Sequence, residues 1–145
     1  SDAQIIILES FAKNKEGIKK QKKLIQKIEG ELNQNKVNQS EYRKGVDDGS
    51  IKPEGKLGMF QIEEAKIQSE LKLAKDKLKY MEQYKYSEYY GLDRGEFNYY
   101  LRDLISKGLL NEIFITQTGS TSLEHTKKEI SDFGLQFVSF IKLND

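Results

Sequence analysis

The fold is decided by residues 92–110, LDRGEFNYYLRDLISKGLL, and by the later run ISDFGLQFVSFI at residues 130–141. The apolar residues of the first run recur at helical spacing: Phe97, Leu101, Leu104 and Ile105. They predict a helix that begins near Asp93. Gly108 follows its last turn, where a glycine with left-handed backbone is expected. The two runs together predict a helix, a hairpin of two strands and a short closing helix.

The segment between the two helices predicts the hairpin. The apolar run at residues 113–116 predicts its first strand, residues 126–130 the returning strand, and residues 119–122 a flexible tip. Ser131 is a suitable N-cap for the closing helix. That helix carries five large apolar residues, which we expect to pack back on the core: Phe133, Phe137, Val138, Phe140 and Ile141.

Two motifs carry a resemblance to a known fold family. The pattern Leu101-x-x-Leu104-x-x-x-Gly108-Leu109-Leu110 resembles the end of a winged-helix recognition helix, LxxLxxxGLI. Residues 130–137, ISDFGLQF, are similar to the LTxxGxxF close of many bacterial and phage winged-helix proteins. The resemblance spans residues 92–142 and implies a small winged-helix-like domain with one β-hairpin, placed at residues 91–145.

Winged helices of this kind bind DNA through the recognition helix, with the wing beside the groove. The resemblance therefore implies nucleic-acid contacts from the helix and the wing: Arg94, Asn98, Tyr99, Arg102, Lys107, His125, Lys127 and Lys128. The net charge of this region does not favour DNA binding. Residues 91–145 hold six Lys and Arg against eight Asp and Glu, whereas duplex binding favours a basic surface.

The upstream half predicts two long helices, over residues 4–35 and 53–88, joined by a loop at 36–52. In the first helix, apolar residues recur every seven positions: Phe11, Ile18, Ile25 and Leu32. In the second helix a similar repeat is formed by Leu57, Phe60, Ile67, Leu71 and Leu78. Seven-residue repeats keep one face of a helix toward a partner helix, so residues 1–90 predict an antiparallel helical hairpin or coiled coil.

The repeat of the second helix is also the predicted self-association surface. The sequence leaves open whether the two helices fold on each other or pair between chains. Glu64 is the one charged residue inside this repeat. It lies either at an exposed end or in a contact that sets the register of the two helices.

Two further clusters leave alternatives open. One face of the first helix carries Lys13, Lys15, Lys19, Lys20, Lys22, Lys23 and Lys27, which form either a basic strip for nucleic acid or a solvated surface. Residues 80–100 hold seven of the eight tyrosines. These tyrosines stack on nucleic-acid bases, supply a nucleophile, or pack where the helical arm meets the C-terminal domain. The packing interpretation is favoured.

The composition limits the function classes. The chain has no cysteine and one histidine, His125, so neither a zinc site nor a disulfide is expected. Phosphate-loop, dinucleotide-binding and nucleophile-elbow motifs are absent from the sequence. We expect a cytoplasmic protein without a signal peptide or a transmembrane segment.

The sequence therefore predicts a mainly α (α+β) protein that is not an enzyme and uses no cofactor or metal. The expected function is a protein-interaction or assembly module, with a protein partner or a second copy of the chain bound through the helical hairpin. The alternative is a nucleic-acid-binding winged-helix regulator of bacterial or phage origin. No small-molecule substrate is indicated.

Overall fold

The computed structural model describes residues 1–115 and 125–143, and it confirms a mainly α protein with a small antiparallel sheet. The elements of the described residues are α1 (Asp2–Asp47), α2 (Lys56–Met81), α3 (Arg94–Ser106), β1 (Leu110–Ile115), β2 (His125–Ile130) and α4 (Asp132–Leu143). Two 3-10 turns, Glu82–Lys85 and Ser87–Tyr90, connect α2 to α3. None of the helices in these ranges combines the length and the apolar character that crossing a membrane requires.

The chain forms two compact units. The hairpin unit is Ile18–Tyr80, and the discontinuous unit combines Ser1–Gly17 with Met81–Asp145. This division differs from the predicted one at residue 90. The first turns of α1 supply apolar residues to the discontinuous unit, among them the fully buried Ile7 and Leu8.

In the hairpin unit, α2 packs antiparallel to α1. Its core is Ile25, Ile28, Ile67 and Ala74, with Leu32, Leu71 and Leu78 packed against it. The side-chain amides of Gln21 and Asn35 donate to the backbone oxygens of Ala74 (2.9 Å) and Phe60 (3.2 Å). These bonds satisfy amide groups that are buried beside the apolar seam, where an unpaired donor would be unfavourable.

Helix α1 is longer than the sequence predicts. It runs to Asp47, so most of the expected loop at residues 36–52 is helical. The turn after α1 is held by side-chain hydrogen bonds: the Asp48 carboxylate accepts from the backbone N–H (2.8 Å) and the hydroxyl (2.6 Å) of Ser50. Gly49, with φ of 81°, supplies the left-handed residue between them.

Helix α2 ends at Met81, earlier than the predicted residue 88, and 3-10 turns follow it. The tyrosines of this segment divide between core and surface. Tyr84 packs edge-on against Phe11, with 4.8 Å between ring centroids, and Tyr90 stacks on Phe97 at 5.5 Å. Tyr86 is exposed. Aromatic packing within the discontinuous unit thus explains part of the tyrosine cluster.

The small sheet pairs β1 with β2 in antiparallel register, from Leu110 opposite Ile130 to Ile115 opposite His125. Leu110 and Ile130 are buried at the end of the sheet that adjoins α3 and α4. Both strands extend the predicted ones by one to three residues. The predicted tip at residues 119–122 lies outside the described residues.

Candidate functional site

Helix α3 organises the two grooves of the discontinuous unit. It begins next to Asp93, as predicted, and its N-terminus is capped because the Asp93 carboxylate accepts the Glu96 backbone N–H at 2.8 Å. Its buried face consists of Phe97, Leu101 and Leu104. The flanks of the helix are therefore held in fixed positions on either side of this apolar face.

Ser131 joins the end of α3 to the start of α4. Its hydroxyl donates to the Gly108 carbonyl oxygen at 2.6 Å and accepts from the Gly134 backbone N–H at 2.8 Å. The second bond confirms the predicted N-cap, and the φ of 74° at Gly108 confirms the predicted left-handed residue. These contacts bring α4 beside the last turn of α3.

The first groove, called the apolar groove here, has a volume of about 330 Å³ and is formed by three helices. Its walls are Ile5 and Leu8 of α1, Leu104 and Leu109 around the end of α3, and Phe133 and Phe137 of α4. Gln4 and Lys107 lie at its polar edge. It is a concave apolar surface with polar groups at one side, the usual form of a binding groove.

Helix α4 exposes most of the aromatic rings that the sequence assigned to the core. Phe133 is 56% exposed, Phe137 36% and Phe140 64%, whereas Val138 is buried and Ile141 half-buried. The prediction for the three phenylalanines was wrong because the apolar arc of α4 is wider than the face that packs on the core. Val138 lies on the packed face, whereas the rings at spacing i, i+4 and i+7 lie on the part of the arc beside it.

The polar edge of the apolar groove is an internally paired cluster. Gln4 Nε2 donates to Asp103 Oδ2 at 2.6 Å, and Lys107 Nζ lies 2.8 Å from the same oxygen. The bonds from Lys107 and from Gln4 hold the pKa of Asp103 below its usual value. The side chains at this edge therefore carry one paired positive and one paired negative charge.

The second groove, called the basic groove here, has a volume of about 280 Å³ and lies beside α3 and β2. Phe11, Phe97 and Leu101 form its apolar floor. Its polar lining combines three predicted contact residues, Asn98, Lys127 and Lys128, with two that the sequence did not single out as contacts, Lys85 and Tyr86. Lys127 forms an ion pair with Glu129, and Lys85 with Glu82, at 2.6 Å and 3.4 Å.

The remaining predicted nucleic-acid residues are divided. Arg94 and Arg102 are exposed on α3, each four residues from Asn98, and form one row with it along the helix. Tyr99 is exposed next to this row. Lys107 lies at the apolar groove instead, and the His125 side chain is outside the described part of the structure. Lys85 and Tyr86 lie around the 3-10 turns, where no periodic pattern could identify them.

The acidic residues of α3 are largely occupied elsewhere. Asp93 caps the helix, and Asp103 is bonded to Gln4 and Lys107. Basic and acidic side chains are equally numerous along this helix in the sequence, but they are not evenly distributed around it. The flank with Arg94, Asn98 and Arg102 is basic.

The five predicted self-association residues lie on the side of α2 that faces α1 in the same chain. Ile67 is buried in the hairpin core, and Leu71 and Leu78 pack against it. Phe60 contacts the Tyr42 ring at a centroid distance of 6.0 Å. Leu57 lines a cavity of about 410 Å³ with Tyr42 and Pro53 at the end of the hairpin. In this structure the repeat is used for folding within one chain.

Two buried tyrosines are poorly suited to nucleophilic chemistry. Burial raises the pKa of Tyr84 to about 12, with smaller contributions from Glu82 and Glu129. Burial also raises the pKa of Tyr90. Both phenols stay neutral near neutral pH, where an active nucleophile needs a lowered pKa or a neighbouring base. Within residues 1–115 and 125–143, no group of three or more His, Cys, Asp or Glu is arranged to hold a metal ion.

Comparisons of the chain with protein-family models, with curated proteins and with solved structures found no match.

Proposed function

We propose that this chain is a non-enzymatic protein-interaction module and that the apolar groove is its contact surface. The observation that carries the proposal is the exposure of Phe133 and Phe137 beside a concave apolar wall. A concentrated apolar surface of this kind on a folded unit marks an interaction site. Aromatic side chains are also among the residues that supply most of the binding energy at protein interfaces.

The occupant that fits the groove is an amphipathic helix of a protein partner. Helices α1, α3 and α4 border the groove, and a helix laid along it would insert apolar side chains spaced three or four residues apart. The paired Asp103 and Lys107 at the edge favour a partner whose flanking residues are polar but of low net charge. The groove volume of about 330 Å³ suits two or three anchoring side chains.

This proposal is tested with a panel of fluorescently labelled amphipathic helical peptides of zero net charge, titrated with the chain and followed by anisotropy. We expect binding by peptides with Leu or Phe anchors and none by a scrambled peptide that has lost the apolar face. Phe137→Ser should weaken binding by about tenfold or more. The matched control is Phe114→Ser, because Phe114 is exposed on β1 and does not line the groove.

Equal weakening by Phe137→Ser and Phe114→Ser would contradict a specific role for the groove. Failure of every peptide to bind at concentrations up to about 1 mM would overturn the helix-binding proposal, since that corresponds to only about 4 kcal/mol of binding energy.

A second candidate function is nucleic-acid binding through the basic groove. It is supported by the convergence of Lys85, Lys127 and Lys128 with Asn98 and the exposed ring of Tyr86. Lysines contact the phosphate backbone, and an exposed tyrosine can stack on a base. The order of α3, the β-hairpin and α4 supports the winged-helix interpretation, in which α3 takes the place of the recognition helix.

The test of this second candidate is a titration with random duplex and single-stranded DNA at about 50 mM and about 150 mM salt. The variant replaces Lys85, Lys127 and Lys128 with Gln and should lower both the affinity and the slope of its salt dependence. The control replaces Lys36, Lys44 and Lys52, which are exposed in the hairpin unit and lie outside the lysine strip of α1, with the same loss of charge. Equal effects of the two variants would indicate unspecific attraction, and no binding at low salt would exclude this function.

A further inference from the structure

Helix α2 carries a second seven-residue repeat, on the side away from its core. Its apolar members are Met59, Ile62, Leu73 and Tyr80, which are 70–75% exposed. Lys66, Ser69 and Asp76 occupy the positions between them, so that the spacing alternates between three and four residues throughout. We call these seven residues the outer stripe. Repeats of this spacing are typical of helices that pair along their length.

The outer stripe is not the face that holds the hairpin unit together. Each residue of an α-helix advances about 100° around the axis, so Ile62 and Leu73 point roughly 200° away from the line of Phe60, Ile67 and Leu78. All seven positions of the stripe are exposed. Large apolar side chains at four of them remain in contact with water unless another helix covers them, which is unfavourable.

We propose that the outer stripe pairs two copies of this chain, with their α2 helices antiparallel about a two-fold axis near Leu71. In this register Lys66 meets Asp76 of the second copy, Ile62 meets Tyr80, and Ser69 meets Leu73. Each contact occurs twice because the axis repeats it. The occupant is thus a second copy of the chain, and the contact involves neither the apolar groove nor the basic groove.

Charge complementarity selects both the direction and the register. A parallel arrangement would place Lys66 on Lys66 and Asp76 on Asp76, and like charges in a helix interface are destabilising. Sliding the antiparallel pair by one repeat would place Asp76 against Met59 and Lys66 against Ser69. The charged groups of Lys66 and Asp76 would then be desolvated without an oppositely charged partner. Only the register centred near Leu71 pairs them.

The residues that flank the stripe agree with this register in part. Glu63 of one copy lies on the same side as Lys77 of the second, which adds an attractive pair on each side of the axis. Glu70 and Lys72 each lie near their own equivalents at the axis. These long side chains are exposed and can diverge into water, so their repulsion is weak.

The predicted dimer is weak. The stripe from Met59 to Tyr80 is about 32 Å long at 1.5 Å per residue, and two such strips bury less than the roughly 1,200 Å² of a standard interface. We therefore expect reversible, concentration-dependent association. Sedimentation equilibrium of the full chain between about 1 µM and about 1 mM covers the affinities expected for interfaces of this size.

The decisive variants exchange the two charges. Lys66→Asp places two negative charges opposite each other on both sides of the two-fold axis and should raise the dissociation constant about tenfold. Lys66→Asp combined with Asp76→Lys should restore the wild-type value. The combined variant keeps the new like-charge contacts within each helix, with Glu63 and Glu70 and with Lys72 and Lys79. Restoration can therefore arise only between chains.

A third variant, Leu73→Glu, should keep the chain monomeric, with circular dichroism as the check that α2 is still folded. A chain that is monomeric at every concentration would overturn the proposal. So would a dimer that Leu73→Glu leaves unchanged. A dimer that Lys66→Asp weakens and the double exchange does not restore would exclude the antiparallel register. Phe137→Ser should have no effect on this association, which separates it from binding at the apolar groove.

Discussion

Gln39 donates a hydrogen bond from its side-chain amide to the carboxylate of Glu64, with 2.9 Å between Nε2 and Oε2, inside the helical hairpin. The same amide group also donates to Asn35 Oδ1 at 2.6 Å, and Asn35 in turn donates to the Phe60 carbonyl oxygen. Glu64, the only charged residue in the repeat of α2 that faces α1, is therefore part of a polar layer between the two helices. Of the two sequence interpretations of Glu64, this contact favours the one in which it sets the register.

Replacing Glu64 by Ala should destabilise the hairpin unit by about 1–2 kcal/mol, because the buried Gln39 amide loses an acceptor. Glu64→Gln should have a smaller effect, since its carbonyl oxygen can still accept. The measurement is urea unfolding followed by circular dichroism. Glu63→Ala, an exposed neighbour, is the control and should change stability by less than about 0.5 kcal/mol. Equal stability of Glu64→Ala and the wild type would show that the polar layer does not stabilise the hairpin.

Two glycine replacements should have effects of opposite sign. A Cβ at Gly134 would overlap the Leu109 carbonyl oxygen and lie 2.8 Å from Ile130 Cγ1. Gly134→Ala should therefore destabilise the discontinuous unit by about 1–3 kcal/mol. A Cβ at Gly30 meets no atom within 4 Å, and Gly30→Ala should stabilise α1 by up to about 1 kcal/mol.

Thermal unfolding of the two variants measures both effects. If Gly134→Ala raised the melting temperature as Gly30→Ala should, then the close approach of α4 to the turn after α3 would be incorrect. The apolar groove, which depends on that approach, would then have a different shape.

Removal of the Asp103 carboxylate should change how stability depends on pH. Hydrogen bonds from Lys107 and Gln4 lower the folded-state pKa of Asp103 below 3.8, the value in an unfolded chain. The stabilisation is fully present above that value and is lost as the pH falls through the lower folded-state pKa. Asp103→Asn should thus be less stable than the wild type near neutral pH.

The difference between Asp103→Asn and the wild type should shrink at strongly acidic pH, where the carboxyl is protonated in both states. Thermal midpoints measured at about pH 7 and about pH 2 compare the two regimes. Glu88→Gln, which removes an exposed carboxylate of the same unit, is the control. A constant difference across this range would argue against the contribution of the ionised Asp103.

Tyr84 should ionise late in an alkaline titration. Its folded-state pKa is about 12 against 10.0 for an exposed phenol, mainly because of burial. Since the unfolded chain releases this proton first, folding stability from Tyr84 is present below pH 10 and declines as the pH rises toward 12. Tyrosinate absorbance should show a late step to which Tyr90 also contributes, because burial raises the pKa of both phenols. Tyr84→Phe should lower the amplitude of this step by one tyrosinate, and Tyr86→Phe, at an exposed ring, should leave it unchanged. An unchanged late amplitude in Tyr84→Phe would assign the step to other tyrosines.

The sequence predicted the hairpin because its apolar spacing is regular. Ile67, Leu71 and Leu78 recur at the interval that one helix face requires, and α1 carries the matching Ile25. The end of α1 was harder to predict. Asn35 and Gln39 are polar residues of the kind that favours a loop in a sequence, yet both are buried because their amides bond to α2. Hydrogen bonds between helices produce no periodic pattern in the sequence, so they could not be predicted from it.

The candidate sites show the same contrast. Asn98, Lys127 and Lys128 were selected from the winged-helix resemblance, and they do line one groove. Lys85 and Tyr86 line the same groove because 3-10 turns place them there. These turns have no periodic sequence pattern from which their course could be predicted. The apolar groove was missed because the rings of Phe133 and Phe137 were assigned to the core. An apolar arc wider than one core contact can cover indicates a second contact face, and that was the available signal.

Helix α1 supplies its first turns to one unit and its remainder to the other, which matters during synthesis. The ribosome releases residues 18–80 before residues 81–145, so the hairpin unit can fold while the rest is still being made. Until then Ile7, Leu8 and Phe11 lack the partners that bury them in the finished protein. These three side chains should be the last to leave water, and a stalled nascent chain would present them to chaperones.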